Sequence, residues 1–173
     1  GLIPGLQAQK YNAIMAGMSD TAERRQVVAF SDPYFTNNLV VIGKKGVDKG
    51  ADDLAGKSVG AQRSTTAAEY LAKNFPKATP KLYDTQDNAY LDLESGRTDL
   101  MISDSAPALS WLKTAKGQGF EVKGQPINID DKIAIALRQN DPLIGKFNTA
   151  LAALKANGTY DKISQKYFAD LPK

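Results

Sequence analysis

Short apolar runs alternate with amphipathic stretches along the 173 residues of this chain. Gly1 to Tyr11 reads as a helix with Leu2, Ile3 and Leu6 on one face, leading straight into a first strand. That strand is Ala13 to Met18, since a continuous apolar run suits a parallel strand covered on both faces. Leu39 to Ile42 is a second strand, followed by a loop rich in Gly, Lys and Asp from Gly43 to Asp53. Gly56 marks a turn and Ser58 to Ala61 a short strand. Thr65 to Phe75 is helical, with Ala68, Leu71, Ala72 and Phe75 at i, i+3, i+4, i+7. Pro76 and Pro80 bracket the next loop, and Lys81 to Tyr83 is a strand. Asp87 to Glu94 is a helix stopped at Gly96, Leu100 to Ser103 a strand, and Pro107 to Thr114 a helix with proline in its first turn. Lys132 to Leu137 is one more strand. Asp141-Pro142 opens the closing helical section, with an apolar stripe of Phe147, Ala150, Leu151 and Leu154, a C-cap at Asn157-Gly158, and a final stripe of Tyr160, Ile163 and Tyr167. This alternation predicts an α/β fold with mainly parallel sheets.

Composition narrows the chemistry. Apolar residues make up 42% and charged residues 24%, as in an ordinary globular protein. The excess of 22 basic over 19 acidic residues is scattered, with no Lys/Arg block to track phosphates, so nucleic acid is not an expected partner. Without cysteine or histidine, disulfides, thiolate chemistry, Ser-His-Asp hydrolysis and His-based metal sites are excluded. No run reads as membrane-spanning or as a signal peptide, the pattern expected of a secreted protein after processing.

Ligands of open α/β sheets bind beyond the C-terminal ends of strands, and polar groups gather at three such turns. In Ser19 to Arg24, Ser19 and Asp20 offer N-cap oxygens, Asp20 and Glu23 have capping-box spacing, and Arg24 follows one turn into the helix. Backbone N–H groups, a positive helix end and a guanidinium suit a small carboxylate. Taken alone, the segment favours a plainer reading, a capped surface helix with a solvated Arg24. Gln62-Arg63-Ser64-Thr65-Thr66 offers hydroxyls and N–H groups to a carboxylate or polar side chain, although an ordinary capped turn explains it as well. Asp104, within Ser103-Asp104-Ser105, reads by itself as a helix cap.

Three segments, MSDTAERRQVVAFSDPY, VGAQRSTTAAEY and KANGTYDKISQKYF, resemble the periplasmic amino-acid-binding proteins of ABC importers, the solute-binding family 3 or polar amino-acid group. The resemblance covers essentially the whole chain. It implies a type II periplasmic-binding-protein fold, with lobe 1 from 1–35 and 126–173, lobe 2 from 36–125, and a ligand cleft between them. It also implies that the elements preceding this point in family members are missing, leaving lobe 1 incomplete. Carried over residue by residue, it gives Ser19 and Arg24, with Gly17 beside them, the α-carboxylate of an L-amino acid. Thr66, next to Thr65, contacts the same carboxylate, Gln62 and Arg63 lie near the ligand side chain, and Asp104 pairs with the α-ammonium. Ser64 stands where the family pattern VGVxxGTT has glycine. The implied partners are a free L-amino acid and a membrane permease, and no cofactor or metal is called for. The location is periplasmic, or extracellular with a lipid anchor in a Gram-positive parent. An incomplete lobe would expose sheet edges and invite dimers or strand exchange.

The other features read plainly. Trp111 packs inside its helix with Leu109 and Leu112, and Tyr34 and Phe35 mark the passage between lobes. Asp52, Asp53, Asp130 and Asp131 are solvated loop acids, and GKKG lacks the spacing of a P-loop. Two further classes remain open: a cyclohexadienyl dehydratase, in which Glu69 or a residue outside the chain would serve as general acid, and the sensing domain of a receptor.

Overall fold

A computed structural model describes residues 1–47 and 54–169. The expected loop acids Asp52 and Asp53, and most of the Gly43–Asp53 loop, lie outside the described residues. The chain forms two compact units, one from 1–37 with 130–169 and the other from 38–129.

The second unit is built on a five-stranded sheet. Its strands are β2 (Phe35–Lys44, entering from the first unit), β3 (Ser58–Gln62), β4 (Thr79–Tyr83), β5 (Leu100–Asp104) and β6 (Phe120–Ile133, returning to it), ordered β4-β3-β5-β2-β6. β3 runs parallel to β4 and β5, whereas β2 is antiparallel to β5. The sheet is therefore mixed rather than mainly parallel. The helices are α3 (Thr66–Asn74), α4 (Gln86–Glu94) and α5 (Ser105–Leu112). Period-2 alternation sends Leu39, Val41, Leu100 and Ile102 into a layer with Ala67, Ala68 and Leu71 of α3. It sends Val40, Ile42 and Met101 to the opposite layer with Ala89, Tyr90 and Leu93 of α4 and Ala108 of α5. Leu39 to Ile42 is an unbroken apolar run because each residue meets a covered face. Burial of a side chain of this size contributes about 1.5–3 kcal/mol. Thr65 and Thr85 cap α3 and α4 by accepting from the N–H of Ala68 and Asn88. Trp111 of α5 stacks on Tyr90 at 4.5 Å and tilts against Phe120, the packing role expected of it.

Two strands begin earlier than the sequence pattern predicts, β4 before Lys81 and β6 well before Lys132. Pro80, expected in a loop, lies within β4, and residues 120–131 belong to the 14-residue β6, which contains Pro126. Both strands are sheet edges, where a missing N–H leaves no ladder bond unmade. On β4, the Tyr83 hydroxyl donates to Asp92 at 2.8 Å. Burial, followed by this bond, pushes the Tyr83 pKa from 10.0 up to about 12. A phenol whose pKa is raised by folding contributes its stability fully below the unfolded value, and that contribution is lost as pH rises through the folded one. Tyr83→Phe is therefore expected to flatten the stability–pH profile between pH 10.0 and about 12. Urea midpoints across that window check this, and an unchanged slope would refute it.

The first unit contains α1 (Leu2–Gln7), α2 (Ala22–Arg25), β1 (Ala29–Phe30), β7 (Ala136–Leu137), α6 (Leu143–Ala156) and α7 (Thr159–Phe168). β1 and β7 form an antiparallel pair. Leu6, Ile14, Met18, Val28 and Ala136 make its core, with Ile3, Tyr11 and Phe30 against them. The strand expected at Ala13 to Met18 does not form. Among the described residues that segment joins no ladder: Ile14 makes an isolated bridge to Ala136, Ser19 just beyond it bridges to Ile133, and the Met18 carbonyl accepts from the Ala134 N–H at 3.2 Å. The Met18 N–H turns back to the Ala16 carbonyl at 2.7 Å, which breaks the ladder and leaves Met15 64% exposed. In the closing helices Gly158 takes the left-handed conformation expected past a C-cap (φ +78°). Their apolar stripes are only partly covered, with Phe147, Leu151 and Tyr160 half-buried but Ile163 50% and Tyr167 64% exposed.

Candidate functional site

The candidate groups of the first unit sit on the turn that enters α2. Gly17 is an exposed bend residue, and Ser19, two positions on, is only 2% exposed. The helix cap falls one residue later than expected. Thr21, not Ser19 or Asp20, accepts from the Arg24 N–H at 3.2 Å, while Asp20 forms a two-pronged ion pair with Arg25. The Asp20–Glu23 capping box is therefore absent. α2 has only four residues, so little macrodipole accumulates and the positive charge at this turn is chiefly that of the guanidinium. Arg24 folds back over the turn, its Nη1 donating to the Ser19 carbonyl at 3.0 Å.

Ser19 reaches a partner that the sequence reading placed in solvent. Its hydroxyl donates to Asp131 Oδ2 at 2.8 Å, and Asn37 Nδ2 donates to the same oxygen at 3.1 Å. Asp131 is 7% exposed, so it is a buried hydrogen-bonded carboxylate rather than a solvated one. The neighbouring Asp130 is the exposed acid of the pair and meets Lys132 at 2.8 Å. Asp131 and Asn37 come from the two strands that cross between the units, so three distant segments meet at the base of the Ser19 turn.

In the second unit the candidate residues share one edge of the sheet. β3 and β5 are parallel neighbours, with Val59 opposite Leu100 and Gly60 opposite Met101. Their C-terminal ends, Gln62 to Thr66 and Asp104, consequently lie side by side. The Thr65 hydroxyl donates to the Gln62 carbonyl at 2.7 Å while it caps α3, which places Thr66 as the first residue of the helix. Arg63 lies along the end of β4, its Nε 3.1 Å from Asp84, and Gln62 Nε2 donates to the Asp84 carbonyl at 3.3 Å. Asp104 occupies the N-cap position of α5, yet its side chain makes no capping hydrogen bond. The plain capping explanation for this acid therefore does not apply.

Ser64 keeps the glycine-like geometry of the loop, at φ +59°. The left-handed conformation costs a residue with a Cβ about 1–2 kcal/mol, partly offset by the greater unfolded-state freedom of glycine. Ser64→Gly is expected to stabilise the protein by roughly 0.5–1 kcal/mol, read as a higher melting temperature. A lower one would show that the Ser64 side chain contributes more than its backbone costs.

The fold is that of the type II periplasmic binding proteins, an α/β architecture. The family model for bacterial extracellular solute-binding proteins, family 3, matches residues 1–170, and the chain belongs to that family. It is 41% identical over 170 residues to the ABC transporter arginine-binding protein 1 of Escherichia coli (strain K12), covering 96% of this chain and 70% of that protein. It is 34% identical over 177 residues to the lysine/arginine/ornithine-binding periplasmic protein of the same organism, covering 96% and 68%. Among solved structures, an ancestral arginine-binding protein bound to arginine superposes with a TM-score of 0.90 at 37% identity, over 97% of this chain and 76% of that one.

Proposed function

We propose that this protein binds a polar or basic L-amino acid, with arginine the first candidate, and delivers it to the membrane permease of an ABC importer. In this reading lobe 1 comprises 1–35 and 126–173 and lobe 2 comprises 36–125. Ser19 and Arg24, with Gly17, take the α-carboxylate from lobe 1. Thr66, next to Thr65, takes it from lobe 2, where Asp104 takes the α-ammonium and Gln62 and Arg63 border the side chain. The observation that carries the reading is the adjacency of the β3 and β5 ends. It sets a hydroxyl- and N–H-bearing helix start beside a carboxylate with no capping role. Such a pair suits the two opposite charges of an amino acid. The ion pair of Arg63 with Asp84 offsets a charge that would otherwise oppose a basic ligand. The arginine-binding names of the relatives point the same way.

The role is binding rather than catalysis. Glu69, the acid that a dehydratase would call on, is exposed in the first turn of α3. A periplasmic setting, or a lipid-anchored one in a Gram-positive parent, belongs to the same reading. So does weak self-association through apolar residues such as Ile163 and Tyr167, which concentration-dependent light scattering tests. The deciding experiment is a calorimetric and thermal-shift panel of the common L-amino acids, run beside an absorbance assay on prephenate and arogenate. Saturable binding of L-arginine or another polar amino acid is expected. Silence across the panel, or consumption of prephenate, overturns the proposal.

A further inference from the structure

Behind Asp104 lies a short polar chain that the sequence did not single out. Ser103 points its side chain into the apolar layer shared by Val40, Met101 and Tyr90, and is almost fully buried. A hydroxyl in such a layer requires hydrogen-bond partners. It finds them in Gln86, the first residue of α4, whose Nε2 donates to Ser103 Oγ at 2.5 Å and to the Tyr90 hydroxyl at 3.2 Å. The amide nitrogen carries two hydrogens, one for each oxygen. Ser103 Oγ in turn donates to the Asp104 carbonyl at 3.2 Å. The aromatic stack of Tyr90 on Trp111 ties α4 to α5, the helix that Asp104 opens. Gln86 thus holds both anchors of the Asp104 turn, the Ser103 hydroxyl on β5 and the Tyr90 hydroxyl on α4. Glutamine at a helix start is ordinarily solvated, whereas this one turns inward onto two buried hydroxyls.

We propose that Gln86 is the positioning residue for Asp104, fixing through Ser103 the direction from which the Asp104 carboxylate meets the ammonium of the ligand. The inference rests on the amino-acid reading above. The charge of Asp104 is felt at the other end of the chain: the Tyr90 hydroxyl pKa is raised chiefly by burial, with Asp87 and Asp104 adding to it and the bonds to Gln86 and Ser103 opposing it. Removing Gln86 leaves two buried hydroxyls without their donor and lets the 103–105 turn relax. The groups on the carboxylate and side chain of the ligand are untouched.

The test compares L-arginine with 5-guanidinopentanoate, which keeps the carboxylate and guanidinium but lacks the α-amino group. Affinities are measured by calorimetry on the natural polypeptide and on Gln86→Ala, Ser103→Ala and Asp104→Asn. Ser103→Ala keeps the Gln86–Tyr90 contact and serves should Gln86→Ala fold poorly. Both variants are expected to lose about tenfold in arginine affinity, equivalent to about 1.4 kcal/mol, while 5-guanidinopentanoate binding stays within about twofold. Asp104→Asn should abolish the preference for arginine over the analogue. Equal losses for both ligands, or no loss for either, overturn the positioning role and leave the amino-acid reading standing. An unaltered protein that binds no arginine, or an Asp104→Asn protein with full discrimination, overturns both.

Discussion

Arg24→Met is expected to weaken amino-acid binding at least about 100-fold while leaving the melting temperature of the unliganded protein nearly unchanged. The guanidinium is held over the α2 turn by its bond to the Ser19 carbonyl, and the turn itself is capped by Thr21. Its direction is therefore set before a ligand arrives, and little side-chain freedom remains to be lost on binding. Charge-assisted hydrogen bonds from such a group contribute about 1.5–3 kcal/mol each, so on the proposed reading the loss of a two-pronged contact to the ligand carboxylate accounts for the expected drop. Methionine retains the apolar stem and removes only the fork. Arg24→Lys should fall between, because an ammonium keeps the charge but cannot match both carboxylate oxygens. Calorimetry with L-arginine reads all three proteins. A methionine variant within about threefold of the natural affinity would show that the carboxylate is held elsewhere.

Gly117→Ala is expected to be the most damaging small substitution in the second unit, lowering stability by about 3 kcal/mol, on the order of 6–12 °C in melting temperature. An added Cβ would stand 2.2 Å from the Trp111 carbonyl oxygen and 2.5 Å from the Leu112 Cα, both backbone atoms of α5. Backbone in the last turn of a helix cannot step aside as a side-chain end can. The Gly117 N–H also bonds the Thr114 carbonyl at 3.1 Å and its hydroxyl at 3.2 Å, so displacing the glycine opens the corner that seats Trp111 between Tyr90 and Phe120. Gly5→Ala offers the contrast. Its Cβ would meet the ring end of Tyr11, which can rotate away, and a smaller loss is expected. Urea denaturation of both variants measures the difference, and a Gly117→Ala loss below about 1 kcal/mol would refute the clash.

The core of the second unit was legible in the chain because its signals are local. The apolar run Leu39 to Ile42, the helical stripe of Ala68 and Leu71, and the glycine turns at Gly56 and Gly96 each depend on residues within a few positions. The polar turns bearing Arg24, Thr66 and Asp104 were found by the same local logic, a strand end followed by a helix start. Local rules failed where two of them competed. Ser19, Asp20 and Thr21 could each cap α2, and the hydroxyl of Thr21 won because Asp20 pairs with Arg25 and Ser19 turns inward to Asp131. Ala13 to Met18 had strand composition, but a bend at Ala16 and Gly17 left it no continuous partner.

Sequence alone determined most of the helices, the strands β2, β3 and β5, and which turns carry charge, since periodicity and turn chemistry are properties of neighbouring residues. Only the tertiary structure decided which strands pair and in which direction, setting β2 antiparallel to β5 and placing the proline-bearing β4 and β6 at the edges. It also decided that Asp131 is buried against Ser19, 112 positions away, and that Gln86 reaches Ser103 behind Asp104. The physical reason is that a strand edge, a buried carboxylate and a buried hydroxyl each require a partner. Which partner they obtain depends on how the whole chain packs, because the candidate donors are spread across distant segments and only the fold brings one of them within hydrogen-bonding reach.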